Sequence, residues 1–296
     1  MKRKNLFLSC CVIAFVLFGY SCTKKPDNVA ISSDGVKISF DQQGKGEPVI
    51  IFVHGWSNNK SVWDAQMAHF SEKYRVIAVD LPGFGESGYN RTNWTMASYG
   101  EDVAGVIKKL NLKQVVLVGF CSGAYNIIET AKRVPENLIG LVLVDILQNV
   151  EMTYSPEMLA YMDSVLMDVV TNPTNEKFVK GGFYKKNLEA SYKRVLSMLS
   201  AHKNVSRTGW KESLHDLLRW YNEDRIESLK KVRVPITSIN SDMEPTNVEA
   251  FRKYVPSFQV KIIPDAAHLV MWDNPEEFNR LLEESIQEFV NKSKLE

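Results

Sequence analysis

One stretch of eleven residues constrains the fold of this chain more than any other. It runs from Gln114 to Ala124 and reads QVVLVGFCSGA. Residues 115–118 are an unbroken apolar run, residues 119–124 are mostly small, and a segment with helical spacing follows over residues 125–133. An apolar run, a tight turn of small residues and a helix predict a buried strand that turns sharply into a helix.

The small residues of this turn predict which side chain stands at its apex. Where strand and helix pass close together, small residues are needed two positions before and two positions after the apex. Gly119 and Gly123 hold these positions if Cys121 is the apex. A frame with Ser122 at the apex would put Phe120 where a small residue is required. Turns of this kind carry the nucleophile of some hydrolytic enzymes, so Cys121 is the predicted nucleophile.

The N-terminal residues predict export followed by lipid anchoring. Residues 2–4 are basic and residues 6–20 form an apolar run, which is too short for a comfortable membrane span. The run ends in Gly-Tyr-Ser-Cys, which resembles a bacterial lipobox with Cys22 as the lipidated residue. We predict a signal peptide over residues 1–21, a tether over residues 22–28, and a lipid-anchored protein facing the periplasm or the cell exterior. The alternative is an ordinary signal peptide or an uncleaved anchor.

Cysteine usage and charge narrow the classes of function. Of four cysteines, Cys10 and Cys11 belong to the leader and Cys22 would carry lipid, which leaves Cys121 without a disulfide partner. A single thiol in an oxidising compartment is either buried and inert or used in chemistry. The formal net charge of +1 gives no reason to expect nucleic acid as a partner. The sequence has no metal-ligand cluster and no phosphate or dinucleotide fingerprint, so no cofactor or metal is expected.

Apolar runs alternate with helical segments over most of the chain. The uninterrupted runs read as strands buried on both faces, and this alternation predicts a mostly parallel, doubly wound sheet. The alternation breaks after Asp145, and we interpret residues 147–230 as a helical cap over the carboxyl ends of the strands. The predicted elements are a hairpin at 29–40, strands at 49–53, 75–79, 138–144, 234–239 and 259–263, and helices at 61–70, 95–110, 155–170, 187–201, 211–221 and 275–291.

Four motifs follow one another in the chain: HGW at residues 54–56, DLPGFGES at 80–87, GFCSG at 119–123 and IPDAAH at 263–268. In this order they resemble the α/β-hydrolase fold superfamily, in its cap-bearing branch of esterases, lactonases, epoxide hydrolases and dehalogenases. The resemblance covers residues 29–291 and implies a core of residues 29–146 and 231–296. This sequence departs from the usual pattern by having cysteine for serine as nucleophile, as dienelactone hydrolases of the superfamily also do.

The resemblance implies the partners of Cys121. His268 lies on the loop after a buried strand, where the superfamily has its catalytic base. The oxyanion donors would be the backbone N–H groups of Trp56 and of Ser122, the residue after the nucleophile. His54, which precedes the oxyanion loop, more often braces that loop than takes part in the chemistry.

The acid that orients His268 is expected on the loop after strand 234–239, which offers Asp242 and Glu244. Superfamily spacing and the following proline favour Glu244, whereas aspartate is the commoner residue in this role. We take Asp242 first and keep Glu244 as the alternative. Asp145, at the end of the preceding strand, is a third candidate because some dehalogenase relatives use that position.

Side chains next to the predicted catalytic residues are candidates for a substrate pocket. Phe120 is expected to narrow an acyl pocket, and the indole of Trp56 is expected to line it, although core packing explains that indole equally well. The same two interpretations apply to aromatic and methionine side chains of the predicted cap, namely Tyr154, Met158, Tyr161, Met162, Trp220 and Tyr221.

These assignments predict a hydrolase of ester, thioester or lactone bonds with a small-molecule acyl substrate. The reaction would proceed through a Cys-His-acid triad and an acyl-enzyme. The alternative is a non-catalytic ligand-binding or sensor protein that has kept the fold, which the change to cysteine suggests. Epoxide opening needs a carboxylate at the apex, so Cys121 argues against that branch.

Overall fold

A mostly parallel β-sheet forms the centre of the structure, a computed structural model that describes residues 28–171, residue 193 and residues 207–295. The strands are β1 (Val29–Ile31), β2 (Lys37–Gln43), β3 (Val49–Val53), β4 (Val76–Val79), β5 (Val115–Phe120), β6 (Leu138–Val144), β7 (Ile236–Ser241) and β8 (Gln259–Ile263). They lie in the order β1-β2-β4-β3-β5-β6-β7-β8. β2 is antiparallel to both of its neighbours, and the other neighbouring strands are parallel.

Helices flank the sheet in the described part of the chain. They are α1 (Asp64–Phe70), α2 (Met96–Lys109), α3 (Ser122–Ala131), α4 (Pro156–Thr171), α5 (Arg207–Arg219), α6 (Arg225–Leu229), α7 (Val248–Arg252), α8 (Val270–Asp273) and α9 (Pro275–Ser293). Short 3₁₀ segments occur at Lys60–Trp63 and Pro135–Asn137, and a π-helical turn at Trp220–Asp224 joins α5 to α6. α2 packs against α3, and α1 packs against α9.

The central strands are buried along their whole length. Every residue of β3, β4, β5 and β6 is buried, which explains why these strands read as unbroken apolar runs. Because the carboxyl ends of these parallel strands share one edge of the sheet, the loops that follow them converge there. The predicted fold class, a doubly wound α/β sheet, is confirmed.

Local signals set several boundaries. Thr95 accepts a hydrogen bond from the Ser98 amide at 3.1 Å while the Ser98 hydroxyl accepts one from the Thr95 amide, so a capping box begins α2. Gly35, with φ of 85°, occupies the turn between β1 and β2, where a side chain would be strained. The predicted hairpin and helix start are therefore confirmed.

Between β6 and β7 the described chain is helical. α4 packs against α5, with His215 Nε2 2.8 Å from an oxygen of Asp163. The helix predicted over residues 187–201, the signal peptide over residues 1–21 and Cys22 lie outside the described residues. The cap boundaries at 147 and 230 therefore stay a prediction. No helix in the described ranges is long and apolar enough to cross a bilayer.

Candidate active site

Cys121 stands at the turn between β5 and α3. Its backbone has φ of 52° and ψ of −126°, a conformation that costs a non-glycine residue about 1–3 kcal/mol and is concentrated at functional sites. Its amide donates to Val144 O at 3.1 Å, which fixes the turn against the end of β6. Cys121 is partly exposed, whereas Phe120 and Ser122 on either side are buried. The turn thus presents the thiol rather than its neighbours.

The two flanking glycines are required by close backbone contacts. A Cβ on Gly119 would lie 2.5 Å from the carbonyl oxygen of Gly123. A Cβ on Gly123 would in turn lie 2.5 Å from the carbonyl oxygen of Val53. Both distances are too short for a real side chain. The structure therefore agrees with the frame in which Cys121 is the apex.

His268 lies between Cys121 and a buried carboxylate. Its Nδ1 is 2.7 Å from Oδ2 of Asp145, and its ring is also hydrogen-bonded to Cys121. Asp145 follows the last residue of β6 and its side chain is 4% exposed. The other oxygen of Asp145 accepts the amide of Ser241 at 2.7 Å. Contacts through both carboxylate oxygens fix the acid, and the acid fixes the imidazole.

The geometry corrects the choice of acid. Asp242 is exposed and accepts the amide of Asp265 at 3.0 Å, so it holds the loops after β7 and β8 together. Glu244 is also exposed. Nδ1 of His268 has one hydrogen to donate, and Asp145 is positioned to accept it. Asp145, the third candidate from the sequence, is therefore the acid that contacts His268. The loop after β7 contributes an amide to that acid.

The surroundings of His268 favour its protonated form. Burial on its own lowers the pKa of His268, but the charge of Cys121 and the hydrogen bonds to Asp145 and Cys121 raise it, to about 10. The ring, between a sulfur and a carboxylate, therefore holds a proton more readily than a free imidazole does. This arrangement suits a thiolate nucleophile, which needs no base to remove its proton at the moment of attack.

The two residues predicted to supply oxyanion donors are in contact. The amide of Trp56 donates to the hydroxyl of Ser122 at 2.7 Å. The amide of Ser122 begins α3, where N–H groups have no acceptor within the helix. A substrate oxygen that takes the amide of Trp56 must therefore displace the Ser122 hydroxyl. Both predicted donors lie beside Cys121, and one of them has an internal acceptor.

His54 braces the loop before Trp56. It is fully buried, and Nε2 accepts the amide of Leu81 at 3.0 Å, while Nδ1 lies 2.8 Å from Gly55 O. Burial lowers the pKa of His54 to about 4, which keeps the ring neutral and able to accept at Nε2. The bracing role expected for His54 agrees with these contacts.

The two predicted pocket side chains are in packing contacts. The ring of Phe120 is 2% exposed and lies 4.8 Å from the ring of His268, so it supports the imidazole. The indole of Trp56 is 8% exposed, and its N–H donates to Ser213 Oγ at 3.2 Å on α5. Trp56 therefore connects the oxyanion loop to α5. Pocket lining by these two side chains stays a prediction.

Tyr125 is a neighbour of the thiol that the sequence did not single out. It follows Cys121 by one turn of α3, and its ring stacks on Trp220 with centroids 4.6 Å apart. Burial raises the pKa of Tyr125 well above its usual range, and the nearby Cys121 raises it further. The available sequence signal was its spacing of four residues from the predicted nucleophile. In the described residues no cluster of His, Cys, Asp and Glu could hold a metal ion.

Comparisons with known proteins agree with this architecture. The family model described as alpha/beta hydrolase fold matches residues 48–275. The chain is 30% identical over 116 residues to the 2-(acetamidomethylene)succinate hydrolase of Mesorhizobium japonicum, a match covering 39% of this chain and 41% of that protein. It is 27% identical over 227 residues to the bifunctional esterase/perhydrolase DCH of Acinetobacter calcoaceticus, covering 71% of this chain and 80% of that protein.

A solved structure shares the fold. The esterase EaEST from Exiguobacterium antarcticum superposes with a TM-score of 0.76 at 21% identity, covering 88% of this chain and 99% of that one. At this level of identity the likeness concerns the arrangement of strands and helices. The match to the first curated relative spans less than half of that relative's length, whereas the match to the second spans most of it.

Proposed function

The chain belongs to the α/β-hydrolase fold family, and we propose that it hydrolyses carboxylic esters, or the related thioesters and lactones, with Cys121 as nucleophile. The observation that carries this proposal is the continuous contact from Cys121 through His268 to Asp145 at the carboxyl edge of the sheet. The names of the esterase and hydrolase relatives support the ester-hydrolysing class.

Acylation begins with attack of Cys121 Sγ on the carbonyl carbon. A C–S bond forms, and the carbonyl electron pair moves to the oxygen. The amides of Ser122 and Trp56 stabilise that oxyanion once the Ser122 hydroxyl has moved aside. As the intermediate collapses, the C–O bond of the ester breaks and the His268 imidazolium gives its proton to the leaving alkoxide. The products of this step are an alcohol and a thioester on Cys121.

Deacylation uses the change in charge at sulfur. The thioester is neutral, so acylation removes the largest influence that raises the pKa of His268. The neutral imidazole then takes a proton from water while the water oxygen attacks the thioester carbon. The C–S bond breaks, thiolate leaves, and the carboxylic acid is released. Asp145 holds the ring in one orientation through both steps.

Trapping the acyl-enzyme tests this proposal. Rapid mixing with a 4-nitrophenyl ester is expected to release one equivalent of nitrophenolate in a burst, and to add one acyl group to the peptide containing Cys121. The Cys121→Ala variant should show neither the burst nor the added mass, and His268→Ala should lower the turnover by about 10²-fold or more.

The matched control is Cys121→Ser, which keeps the size of the side chain and supplies the nucleophile usual in this family. The thiol mechanism would be ruled out if Cys121→Ala were acylated on another residue. It would also be ruled out if alkylation of Cys121 left hydrolysis undiminished. A wild-type protein that binds acyl ligands but never releases nitrophenolate would favour the binding-protein alternative.

For the N-terminal segment we propose a lipoprotein signal over residues 1–21 with lipidation at Cys22. The proposal is supported by the basic start, the apolar run and the cysteine that ends it. It would bring the catalytic domain to a membrane surface on the outer side of the inner membrane or beyond. Cys121 would then work in an oxidising compartment, without another cysteine in the mature domain to pair with.

A further inference from the structure

Arg225 is a buried cation without a carboxylate partner among the described residues. It is the first residue of α6, directly after the π-helical turn, and is 2% exposed. One guanidinium nitrogen donates to Tyr221 O at 2.5 Å, and its Cζ lies 4.2 Å from the centroid of the Tyr221 ring. Its Nε is buried and has no hydrogen-bond partner among the residues that the structure describes.

A buried guanidinium with so few partners is energetically unfavourable unless an anion binds to it. A guanidinium stays charged in proteins, and a buried charge is costly when it is neither paired nor fully hydrogen-bonded. Arg91, whose side chain is 1% exposed, shows the usual solution, since it is ion-paired with Asp34 and Asp102. Arg225 has an aromatic ring and one carbonyl instead. A carboxylate would satisfy its free N–H groups in the bidentate geometry that guanidinium favours.

Tyrosine rings connect Arg225 to the thiol. Tyr221, which Arg225 contacts, lies 6.3 Å from the ring of Tyr125, and Tyr125 is one helical turn from Cys121. Tyr154 stacks on Tyr221 with centroids 4.6 Å apart and is half-buried. Tyr125 is itself buried and stacks on Trp220, so it lies between α3 and the π-helical turn.

The π-helical turn is what brings these side chains together. The amide of Arg225 bonds to Trp220 O, five residues back, and the wider turn directs Trp220 and Tyr221 toward α3. Such turns are rare in proteins, and those that occur are often found at functional sites. In a regular helix the side chains after Trp220 would be rotated away from this position.

We propose that Arg225 anchors a carboxylate subsite next to the nucleophile, so that the chain accepts acyl groups ending in a carboxylate. The acyl carbonyl would lie at Cys121 and the far carboxylate at Arg225, with the acyl chain along Tyr125 and Tyr221. The substrate class is the monoester, or monothioester, of a short dicarboxylic acid. This inference rests on the proposed function for its acyl chemistry, but the anion site can be tested by itself.

Glu244 is the internal competitor for this role. Burial raises the pKa of Tyr154 and Tyr221, and the charge of Glu244 adds to both shifts. Glu244 is exposed, however, and makes no ion pair with Arg225. If Glu244 were the true counter-ion, Glu244→Gln would weaken the fold and strengthen binding of added carboxylates. If Arg225 receives a substrate carboxylate, Glu244→Gln should leave the preference between charged and neutral acyl groups within about twofold.

Specificity measurements test the subsite in the active protein. The ratio of kcat/KM for 4-nitrophenyl hydrogen glutarate to that for 4-nitrophenyl pentanoate compares acyl groups of equal length. We expect wild type to favour the glutarate by roughly 10- to 100-fold, as a charge-assisted bond to a buried cation would give. Arg225→Gln should reduce the ratio to about one, and Arg225→Lys should give an intermediate value. A wild-type ratio at or below one overturns the inference.

The matched control is Arg219→Gln. Arg219 precedes the same π-helical turn, but it is 41% exposed and already paired with Asp216 and Asp224. Its replacement should leave the ratio unchanged. An equal loss of preference in Arg219→Gln and Arg225→Gln would show that net charge, not the subsite, sets the specificity, and would overturn the inference.

Binding to Cys121→Ala separates this inference from the proposed hydrolysis. Calorimetric titration with glutarate and adipate is expected to show saturable binding that the added Arg225→Gln replacement abolishes. Binding without any ester turnover by the wild type would sustain the subsite and reject the hydrolase. Turnover of neutral esters, with no dicarboxylate binding at millimolar concentration, would reject the subsite and sustain the hydrolase.

Discussion

At the scale of single residues, the acid is where sequence and structure differ most. Asp145 contacts His268 at 2.7 Å and is held by the amide of Ser241, whereas Asp242 and Glu244 are exposed. We expect Asp145→Asn to lower kcat by about 10²-fold or more, because an amide favours the wrong tautomer of the imidazole. Asp242→Asn and Glu244→Gln should keep activity on neutral esters within about threefold of wild type.

Steady-state kinetics on a neutral 4-nitrophenyl ester measure this difference, with circular dichroism to show that each variant is folded. An Asp242→Asn variant that lost as much activity as Asp145→Asn would contradict the assignment. A rise in KM with unchanged kcat in Asp145→Asn would also contradict the assignment, since the role assigned to Asp145 concerns the chemical step.

Ser122 gives a second prediction at this scale. Its hydroxyl accepts the amide of Trp56 and so competes with the substrate oxyanion for that donor. Ser122→Ala removes the competitor but keeps the Ser122 backbone amide, so kcat/KM should rise by roughly two- to fivefold, the equivalent of one modest hydrogen bond. Ser122→Thr, which keeps the hydroxyl, serves as the control. A tenfold fall in Ser122→Ala would mean that the hydroxyl itself donates to the oxyanion.

Site residues with a diagnostic local sequence pattern were predictable. Site residues whose role depends on tertiary packing were not. Cys121 was predicted because the glycines around it report a close backbone approach that the structure contains. Asp145 and Asp242 both follow a strand of a parallel sheet, and sequence gives no measure of which strand end faces His268. Arg225 was missed because its significance is a lack of partners, which only the folded neighbourhood reveals.

At the scale of elements, Glu129 joins α3 to the segment between β6 and β7. Its side chain is 3% exposed and pairs with Lys132 and Arg133, which directly follow the end of α3. It also accepts the indole N–H of Trp220 at 2.9 Å and the hydroxyl of Ser228 at 2.9 Å. The π-helical turn and α6 are thereby held against the helix that begins after Cys121.

Glu129→Gln should destabilise the fold by about 2 kcal/mol at neutral pH, since Lys132 and Arg133 reach solvent and their attraction is partly screened. Burial opposes ionisation, but hydrogen bonds from Lys132, Trp220 and Arg133 lower the pKa of Glu129 from 4.5 to about 2. A lowered folded-state pKa contributes stability above the unfolded value, and this contribution is lost as pH falls toward about 2.

Urea unfolding of wild type and Glu129→Gln between pH 7 and pH 2.5 measures the effect. The stability difference is expected to be constant above about pH 5 and to shrink below it. Glu227→Gln, on the exposed surface of α6, is the control and should follow wild type. A difference that did not change with pH would show that Glu129 acts through packing and not through its charge.

Element boundaries were predictable where a local rule applied. β3 and β6 follow from unbroken apolar runs, and α2 from its Thr95 cap. The position of β4 between β2 and β3 was not predictable, because strand order depends on contacts distant in sequence. The π-helical turn was missed for a related reason, since the stacking of Trp220 on Tyr125 is a tertiary contact.

At the scale of the whole molecule, the proposed leader and the positions of the cysteines together support the proposed compartment. Three of the four cysteines fall in residues 1–22, and the fourth is the partly exposed Cys121. A partly exposed thiol in an oxidising environment is open to oxidation unless its compartment or its substrate protects it. An anchored position at a membrane surface would also limit the acyl substrates that reach Cys121. The amino-acid composition does not specify these substrates.

The last prediction concerns this anchor. Expressed from its full sequence in a bacterial host with lipoprotein processing, the protein is expected to incorporate labelled palmitate and to sediment with membranes. Cys22→Ser should abolish the label and leave a precursor that retains residues 1–21, because lipidation precedes cleavage in this processing route. Cys121→Ser is the matched control, since it removes a thiol from the folded domain but should keep the label.

Label that persists in Cys22→Ser would place the lipid on another cysteine and reject the lipobox. Release of an unlabelled protein with a shortened N-terminus would instead establish an ordinary signal peptide.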